Sequence, residues 1–170
     1  MHKLSIFYSW FVRTITYFLP NLPIFMRFRG FLYSLMMKVC KSNFQVHSSV
    51  YINSLCGLIV MENVYVGPNT VIIAIDLEIC RNVLIGPNCL FSGGNHQFDG
   101  NSFRNLPSKS SGPIIIDEGS WIGGNCTILT GSKMPKFSIL AAGAVLNKVF
   151  SDEYSVYGGI PARKISGIKK

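Results

Sequence analysis

The sequence predicts an all-β solenoid, in which short strands form the sides of stacked coils. Between Ile116 and Leu146 an aliphatic residue or methionine recurs at every sixth position, and a small residue lies four positions after each of the first five. Neither the helical repeat of about 3.6 residues nor the alternation of a simple strand produces this pattern, whereas a flat strand followed by a tight corner does. The recurring positions are Ile116, Ile122, Ile128, Met134, Leu140 and Leu146, and the small ones are Ser120, Cys126, Ser132, Ser138 and Ala144.

The same repeat begins less regularly near Val46, where its spacing slips once to eight and once to seven residues. The slips are predicted to be outward bulges at corners, around residues 53–57 and 76–78, because a solenoid tolerates insertions at its turns. Residues 66–70, 85–89 and 122–126 share one corner pattern, in which Asn follows Gly-Pro or Gly-Gly. The predicted inward residues of this half are Val46, Ile52, Val60, Val66, Ile72, Ile79, Ile85 and Phe91.

Composition limits the class of protein. The chain has 170 residues, of which 48% are hydrophobic, which is enough for the core of one domain. Sixteen Lys and Arg against eight Asp and Glu give a net charge of +8, and the N-terminal third is basic and aromatic, with no acidic residue before Glu62. No recognisable nucleic-acid-binding motif accompanies these residues, so a membrane surface or the end of the solenoid suits them better.

Residues 4–18 and 24–40 are predicted to form two short amphipathic helices around a proline-containing turn at 19–23. One role for them is to cap the open end of the solenoid, because open strand edges invite aggregation. The other is shallow insertion at a membrane surface, where each Lys or Arg near anionic lipid contributes about 1 kcal/mol. A spanning helix of roughly 18–20 apolar residues is not predicted, and Arg13 splits the stretch that a secretory signal would need.

The predicted organisation is a helical cap at residues 1–43, a solenoid at 44–150, and a C-terminal strand with a basic tail at 151–170. The five cysteines are odd in number and lack the spacing of a metal site. They are interpreted as reduced packing residues of a cytoplasmic protein, which could also be peripheral at the inner face of the membrane. No metal is expected.

Residues 92–113 interrupt the repeat. This segment is rich in Gly, Ser, Asn and Pro and does not continue the six-residue repeat, so it is predicted to leave the solenoid as a long loop. Long loops inside a compact domain are usually functional. This loop carries His96, and histidine is the side chain best suited to proton transfer near neutral pH.

Three segments, residues 94–99, 116–131 and 157–165, resemble the hexapeptide-repeat acyltransferases. The resemblance extends over roughly residues 44–168 and is strongest to the small O-acetyltransferases that modify sugars of capsules and surface polysaccharides. It implies a left-handed parallel β-helix, a homotrimer with active sites between subunits, and acetyl-coenzyme A as the acetyl donor. The corner at residues 133–137 departs from the usual Ile-Gly-x-Asn type, so the edge of the prism is expected to be reshaped there.

His96 matches the catalytic histidine of these enzymes and is expected to act as the general base on a sugar hydroxyl. Asp99, or another carboxylate, is a candidate for orienting its imidazole, and Asn95 is a candidate for orientation or substrate contact. Trp121 is expected to line one side of the acyl-transfer cleft. His2 and His47 lack such a context and are interpreted as surface or packing residues.

The donor site is predicted from a register argument combined with the resemblance. Residues 123–124 lie one eighteen-residue coil before residues 141–142, so these small residues are expected to stack on one edge. In the related enzymes the pantetheine arm of coenzyme A bonds to main-chain amides along such an edge, which implicates Gly124 and Ala142. The basic residues Lys148, Arg163 and Lys164 are candidates for the phosphates of the coenzyme.

Three other functions are weighed against this one. An N-acetyltransferase that acts on an amino sugar would use the same fold, and a solenoid without enzymatic activity could serve as a scaffold. A zinc hydratase on the same fold needs about three converging histidines, and His2, His47 and His96 are poorly placed for that.

Overall fold

The computed structural model describes residues 2–169, which form a parallel β-solenoid preceded by two helices. The helices are α1 (His2–Thr16) and α2 (Pro23–Ser34), and no helix among the described residues is long and apolar enough to cross a membrane. The strands are β1 (Val39–Cys40), β2 (Phe44–Val46), β3 (Tyr51–Ile52), β4 (Leu58–Val60), β5 (Val64–Val66), β6 (Val71–Ile72), β7 (Leu77–Ile79), β8 (Leu84–Ile85), β9 (Leu90–Ser92), β10 (Ile114–Ile116), β11 (Trp121–Ile122), β12 (Thr127–Leu129), β13 (Lys133–Met134), β14 (Ile139–Leu140), β15 (Val145–Leu146), β16 (Ser155–Gly158) and β17 (Arg163–Gly167).

The strands form three sheets, which are the three sides of the prism. Sheet A has the order β1-β4-β7-β10-β13, sheet B the order β2-β5-β8-β11-β14-β16-β17, and sheet C the order β3-β6-β9-β12-β15. Every third strand along the solenoid is therefore a parallel neighbour, one coil further on, as the six-residue repeat predicts. The fold matches a left-handed β-helix, so the predicted fold class is confirmed.

The side chains inside the prism are those of the residues that the six-residue repeat predicts to point inward. All fourteen predicted inward residues, from Val46 to Leu146, are buried with at most 2% of their surface exposed. Burial of each such aliphatic side chain contributes about 1.5–3 kcal/mol. The small residues that follow them, such as Ser120 and Cys126, are also buried, since the chain turns there with little space.

Corner residues with positive φ allow these tight turns. Asn69, Asn88 and Asn125 have φ between 56° and 59°, a conformation that asparagine tolerates better than most residues. In the corner that departs from the repeat, Phe137 takes the same conformation with φ of 53°, and its ring stacks on Tyr154 at 5.1 Å.

Three local predictions were wrong. The second helix ends at Ser34, because Val39–Cys40 pairs with strand β4 and so begins the first coil before residue 44. Residues 77–79 form strand β7, so the extra residue of that coil lies upstream of the predicted bulge, before residue 77. The C-terminus has two strands, β16 and β17, which form an antiparallel pair at the edge of sheet B.

The helices contact the first coil through apolar residues, such as Val12 and Tyr33, and through several polar contacts. Ser9 donates a hydrogen bond to the carbonyl oxygen of Ile52, and the Ser5 hydroxyl accepts one from the Leu55 amide at 2.7 Å. Arg29 is fully buried and donates to the carbonyl of Val46 and to main-chain and side-chain oxygens of α1. Burial lowers the pKa of this guanidinium, which is solvated by these oxygens instead of water.

Candidate active site

A pair of backbone hydrogen bonds closes the base of the long loop. Asn95 and Lys109 form an antiparallel bridge, with amide-to-carbonyl distances of 2.9 and 2.8 Å in the two directions. The side-chain amide of Asn95 also donates to the Ser111 hydroxyl at 3.1 Å. His96 follows directly, and its exposed ring makes no hydrogen bond or ion pair within residues 2–169. The neighbouring backbone is thus held while the imidazole is free to meet a substrate.

Thr130, which sequence analysis did not single out, anchors the other end of the loop. This buried residue accepts a hydrogen bond from the Ser111 amide at 3.1 Å and donates to the Gly112 carbonyl at 2.9 Å. The Ser110 hydroxyl lies 3.0 Å from the same oxygen. No pattern in the sequence indicates this role, because it depends on how the loop returns to the neighbouring coil.

A prediction follows for this anchor. Replacing Thr130 with the isosteric valine removes the hydroxyl that holds residues 110–112, and we expect the rate of acetyl transfer to fall about tenfold, which corresponds to one or two hydrogen bonds. Proteolytic cleavage within the loop should become faster at the same time. Thr130→Ser is the matched control, because it keeps the hydroxyl and should restore both the rate and the resistance to protease. Equal behaviour of the two variants would contradict the anchoring role.

Asp99 organises the loop itself. Its carboxylate accepts hydrogen bonds from the amides of Asn101 and Ser102, at 2.8 and 2.6 Å, and from the side chain of Asn105. These bonds, that from Asn101 first, lower the pKa of the Asp99 carboxyl. No described hydrogen bond joins Asp99 to His96.

The predicted stacking of small residues on one edge is observed at the corner between sheets B and C. The Gly123 amide donates a hydrogen bond to the carbonyl oxygen of Leu140 at 2.8 Å, and the Gly143 amide donates one to the carbonyl oxygen of Gly124 at 2.9 Å. Gly124 and Ala142 therefore lie in register on successive coils. A Cβ on Gly123 would come within 2.7 Å of the Ala142 nitrogen, so this close approach of the two coils requires glycine. Side-chain bulk is therefore excluded at position 123.

The amide groups of Gly124 and Ala142 have no hydrogen-bond acceptor within residues 2–169. The equivalent positions of the two preceding coils are Pro68 and Pro87, which have no N–H group. Free donors at this corner thus begin only with Gly124. Such a row of donors beside small residues fits the amide carbonyls of a pantetheine arm, so these residues suit coenzyme A.

Trp121 precedes this corner on strand β11, where its side chain is 49% exposed on the outer face of sheet B. The basic candidates lie at two different places, with Arg163 and Lys164 on sheet B and Lys148 just after a strand of sheet C. Lys164 and Arg163 are on the edge strand β17, and the Lys164 ammonium pairs with Asp152 at 2.8 Å, which raises the pKa of the lysine. Lys148 follows strand β15 and lies over the ring of Phe150 at 5.2 Å.

The loop and the small-residue corner lie on opposite edges of sheet C. The loop leaves after strand β9, at the corner between sheets C and A, whereas Gly124 and Ala142 precede strands β12 and β15, at the corner between sheets B and C. One chain therefore presents His96 and the corner formed by Gly124 and Ala142, here called the donor corner, on different edges of the prism.

Comparisons with known proteins found similar sequences and similar folds. No family model matches the sequence. The candidate acetyltransferase YJL218W of Saccharomyces cerevisiae is 29% identical over 131 residues, which cover 76% of this chain and 65% of that protein. The candidate acetyltransferase C18B11.09c of Schizosaccharomyces pombe is 31% identical over 93 residues, which cover 55% of this chain and 44% of that protein. The chain thus matches less than two thirds of the length of either relative.

Solved structures share the fold over nearly the whole chain. The hexapeptide-repeat acetyltransferase VCA0836 of Vibrio cholerae, in complex with acetyl-coenzyme A, has a TM-score of 0.83 at 20% identity and covers 99% of this chain and 89% of its own. A maltose O-acetyltransferase of Clostridium difficile has a TM-score of 0.80 at 20% identity and covers 99% and 88%. The N-acyltransferase AntD of Bacillus cereus has a TM-score of 0.66 at 14% identity and covers 83% and 89%. The chain therefore has the left-handed β-helix fold of the hexapeptide-repeat acetyltransferases and resembles two candidate acetyltransferases in sequence.

Proposed function

We propose that the protein transfers the acetyl group of acetyl-coenzyme A to a hydroxyl group of a sugar or a surface-polysaccharide precursor. The observation that carries this proposal is His96, an exposed and unpaired imidazole beside a stretch of backbone held by hydrogen bonds, on a fold that is shared with solved acetyltransferases. The free amides at the corner of Gly124 and Ala142 support the choice of donor.

The chemistry assigned to His96 is general base catalysis. A sugar hydroxyl is a weak nucleophile until its proton leaves, and the imidazole accepts that proton as the hydroxyl oxygen attacks the thioester carbonyl carbon. The carbon–sulfur bond then breaks, the acetyl ester forms, and the departing thiolate takes the proton back from the imidazole. Backbone N–H groups near the carbonyl would stabilise the negative charge that develops on its oxygen.

A homotrimer is part of the proposal. Since His96 and the donor corner lie on opposite edges of sheet C, the loop of one subunit would meet the small-residue corner of the next. The acceptor would bind between them, with Trp121 on the neighbouring outer face of sheet B. Arg163, Lys164 and Lys148 remain the candidates for the phosphates of the coenzyme. We also propose a cytoplasmic location, with residues 1–41 in contact with the inner face of the membrane.

The test of this function is release of free thiol from acetyl-coenzyme A over a panel of sugars, amino sugars and lipid-linked glycans. Release that depends on an acceptor, with a product whose acetyl group is removed by mild base, would support ester formation on a hydroxyl. A product that resists mild base would instead identify an amide and overturn O-acetylation in favour of N-acetylation. Absence of both coenzyme binding and thiol release would identify the solenoid as a scaffold.

The donor corner makes a separate prediction. Gly124→Pro reproduces the Gly-Pro-Asn sequence that already forms the same corner at residues 86–88, so it should fold normally while it removes one free N–H group. Loss of one hydrogen bond should raise the dissociation constant of acetyl-coenzyme A about three- to tenfold.

The measurement is calorimetric titration of wild type and variant, with the melting temperature as the control for folding. Unchanged affinity together with an unchanged melting temperature would remove Gly124 from the donor site.

A further inference from the structure

Helix α1 turns mainly small polar side chains toward the solenoid and most of its large apolar side chains toward solvent. The residues that it buries are Ser5, Ser9, Val12 and Thr16. Its large apolar side chains instead recur at helical spacing on the side exposed to solvent, and they are Leu4, Phe7, Phe11 and Ile15, with Phe18 just beyond the helix end. A helix that only capped the solenoid would bury such a stripe. The hydroxyl contacts of Ser5 and Ser9 with the solenoid fix the helix in this orientation.

Helix α2 exposes a second apolar stripe. It buries Met26, Arg29, Gly30 and Tyr33, and the Arg29 guanidinium is held by carbonyl oxygens of α1 and of strand β2. Exposed apolar side chains again recur three and four residues apart along the outer side, and they are Ile24, Phe28, Phe31 and, just after the helix, Leu35. The exposed large apolar residues of segment 4–35 are here called the cap face. They are twelve of the twenty-four large apolar residues that are exposed in the described chain.

The charged side chains of the N-terminal segment, residues 1–61, are all basic. Lys3 and Arg27 are exposed on the helices, Lys38 and Lys41 follow them, and the first acidic residue is Glu62. Between α1 and strand β3 a groove of about 370 Å³ is lined by Phe7, Trp10 and Tyr51 and has Lys3 and Arg13 along it.

We propose that the cap face binds an anionic membrane surface, with its aromatic and aliphatic stripes in the acyl boundary and its Lys and Arg side chains among the headgroups. Exposed apolar stripes at helical spacing, flanked by basic residues, are the features of helices that lie in a membrane interface. A symmetric contact with a second copy of the chain is disfavoured, because residues 4–35 carry basic side chains and no carboxylate, so two such faces would repel each other. This proposal deepens the membrane contact proposed above and depends on the helices, not on acetyl transfer.

The first test is flotation of the full-length protein with vesicles of phosphatidylcholine alone and of phosphatidylcholine mixed with phosphatidylglycerol. We expect binding to the mixed vesicles, and the double variant Phe7→Ser, Phe31→Ser should weaken it at least about tenfold through lost apolar burial. The matched control is Ile75→Ser, Val149→Ser, which removes two exposed apolar residues of the solenoid and should bind like wild type. Equal loss in both variants, or no binding to mixed vesicles, would overturn the proposal.

The second test separates charge from apolar burial. Lys3→Gln with Arg27→Gln should weaken binding to mixed vesicles about thirtyfold, at about 1 kcal/mol for each basic residue near the surface. Arg104→Gln with Lys169→Gln makes the same change in net charge away from the cap face and should have no effect, because the attraction decays within about 10 Å.

Light scattering of the protein without lipid tests whether a second copy of the chain covers the cap face instead of a membrane. If the phenylalanine variant changes the oligomeric state, a second copy covers the cap face and the proposal is wrong. Thiol release is measured separately in detergent-free solution, so failure of membrane binding and failure of acetyl transfer give different results.

Discussion

His96→Ala is expected to lower the rate of acetyl transfer to a good acceptor by about a hundredfold to ten-thousandfold. The imidazole is exposed and unpaired, so its removal breaks no hydrogen bond of the folded chain and should leave the melting temperature unchanged. Binding of acetyl-coenzyme A should also be preserved, because the hydrogen bonds proposed to hold the donor come from the main-chain amides of Gly124 and Ala142 and not from the imidazole. The measurement is thiol release at saturating donor and acceptor, together with calorimetric titration of the donor.

The control for this prediction is His47→Asn. The His47 ring lies 2.9 Å from the Ser49 hydroxyl, an interaction that asparagine can reproduce, and burial and the nearby Arg29 lower the pKa of this histidine. We expect full activity from the control. Full activity of His96→Ala on a good acceptor would show that another group removes the proton, and the mechanism proposed for this loop would be wrong.

Gly30→Ala is expected to reduce the free energy of unfolding by at least about 2 kcal/mol, the cost of overpacking a site that must move backbone to relax. A Cβ at position 30 would lie 2.0 Å from the carbonyl oxygen of Phe44, where helix α2 packs on strand β2. Intrinsic helix propensity makes the opposite prediction, a gain of about 1 kcal/mol for alanine over glycine inside a helix. The sign of the change therefore distinguishes packing from propensity.

The measurement is thermal unfolding followed by circular dichroism, where a loss of about 2 kcal/mol lowers the melting temperature by roughly 4–8 °C for a chain of this size. Arg27→Ala is the control on the same helix, because Arg27 is exposed and its replacement should change stability by less than about 0.5 kcal/mol. A higher melting temperature for Gly30→Ala would mean that α2 does not contact β2 as described.

The spacing of single residues was sufficient to predict the interior of the prism. Ile116, Ile128 and Leu140 share one six-residue phase, and inward direction follows from that phase because each coil repeats the last. Even with two slips in spacing, every predicted inward residue from Val46 to Phe91 is buried. The coil-to-coil stacking of Gly124 on Ala142 was predictable for the same reason.

Boundaries and loop contacts were not predictable in this way. Val39 and Cys40 follow an apolar helical segment, and only pairing with strand β4 makes them a strand. The role of Thr130 depends on where residues 110–112 return to the solenoid, and that contact has no periodic signal. Asp99 was a candidate for orienting His96 because it is a carboxylate. In the structure its carboxylate accepts hydrogen bonds from backbone amides of the loop instead.

Local spacing along the chain is enough to predict the repeat, the core, the interruption at residues 92–113 and the position of His96 within it. The folded structure was needed to show which side of each N-terminal helix faces the solenoid, since both sides carry residues that could pack. It also decided that the unpaired amides of Gly124 and Ala142 lie across sheet C from the loop, because the edge on which a segment leaves the prism depends on the winding of the whole chain.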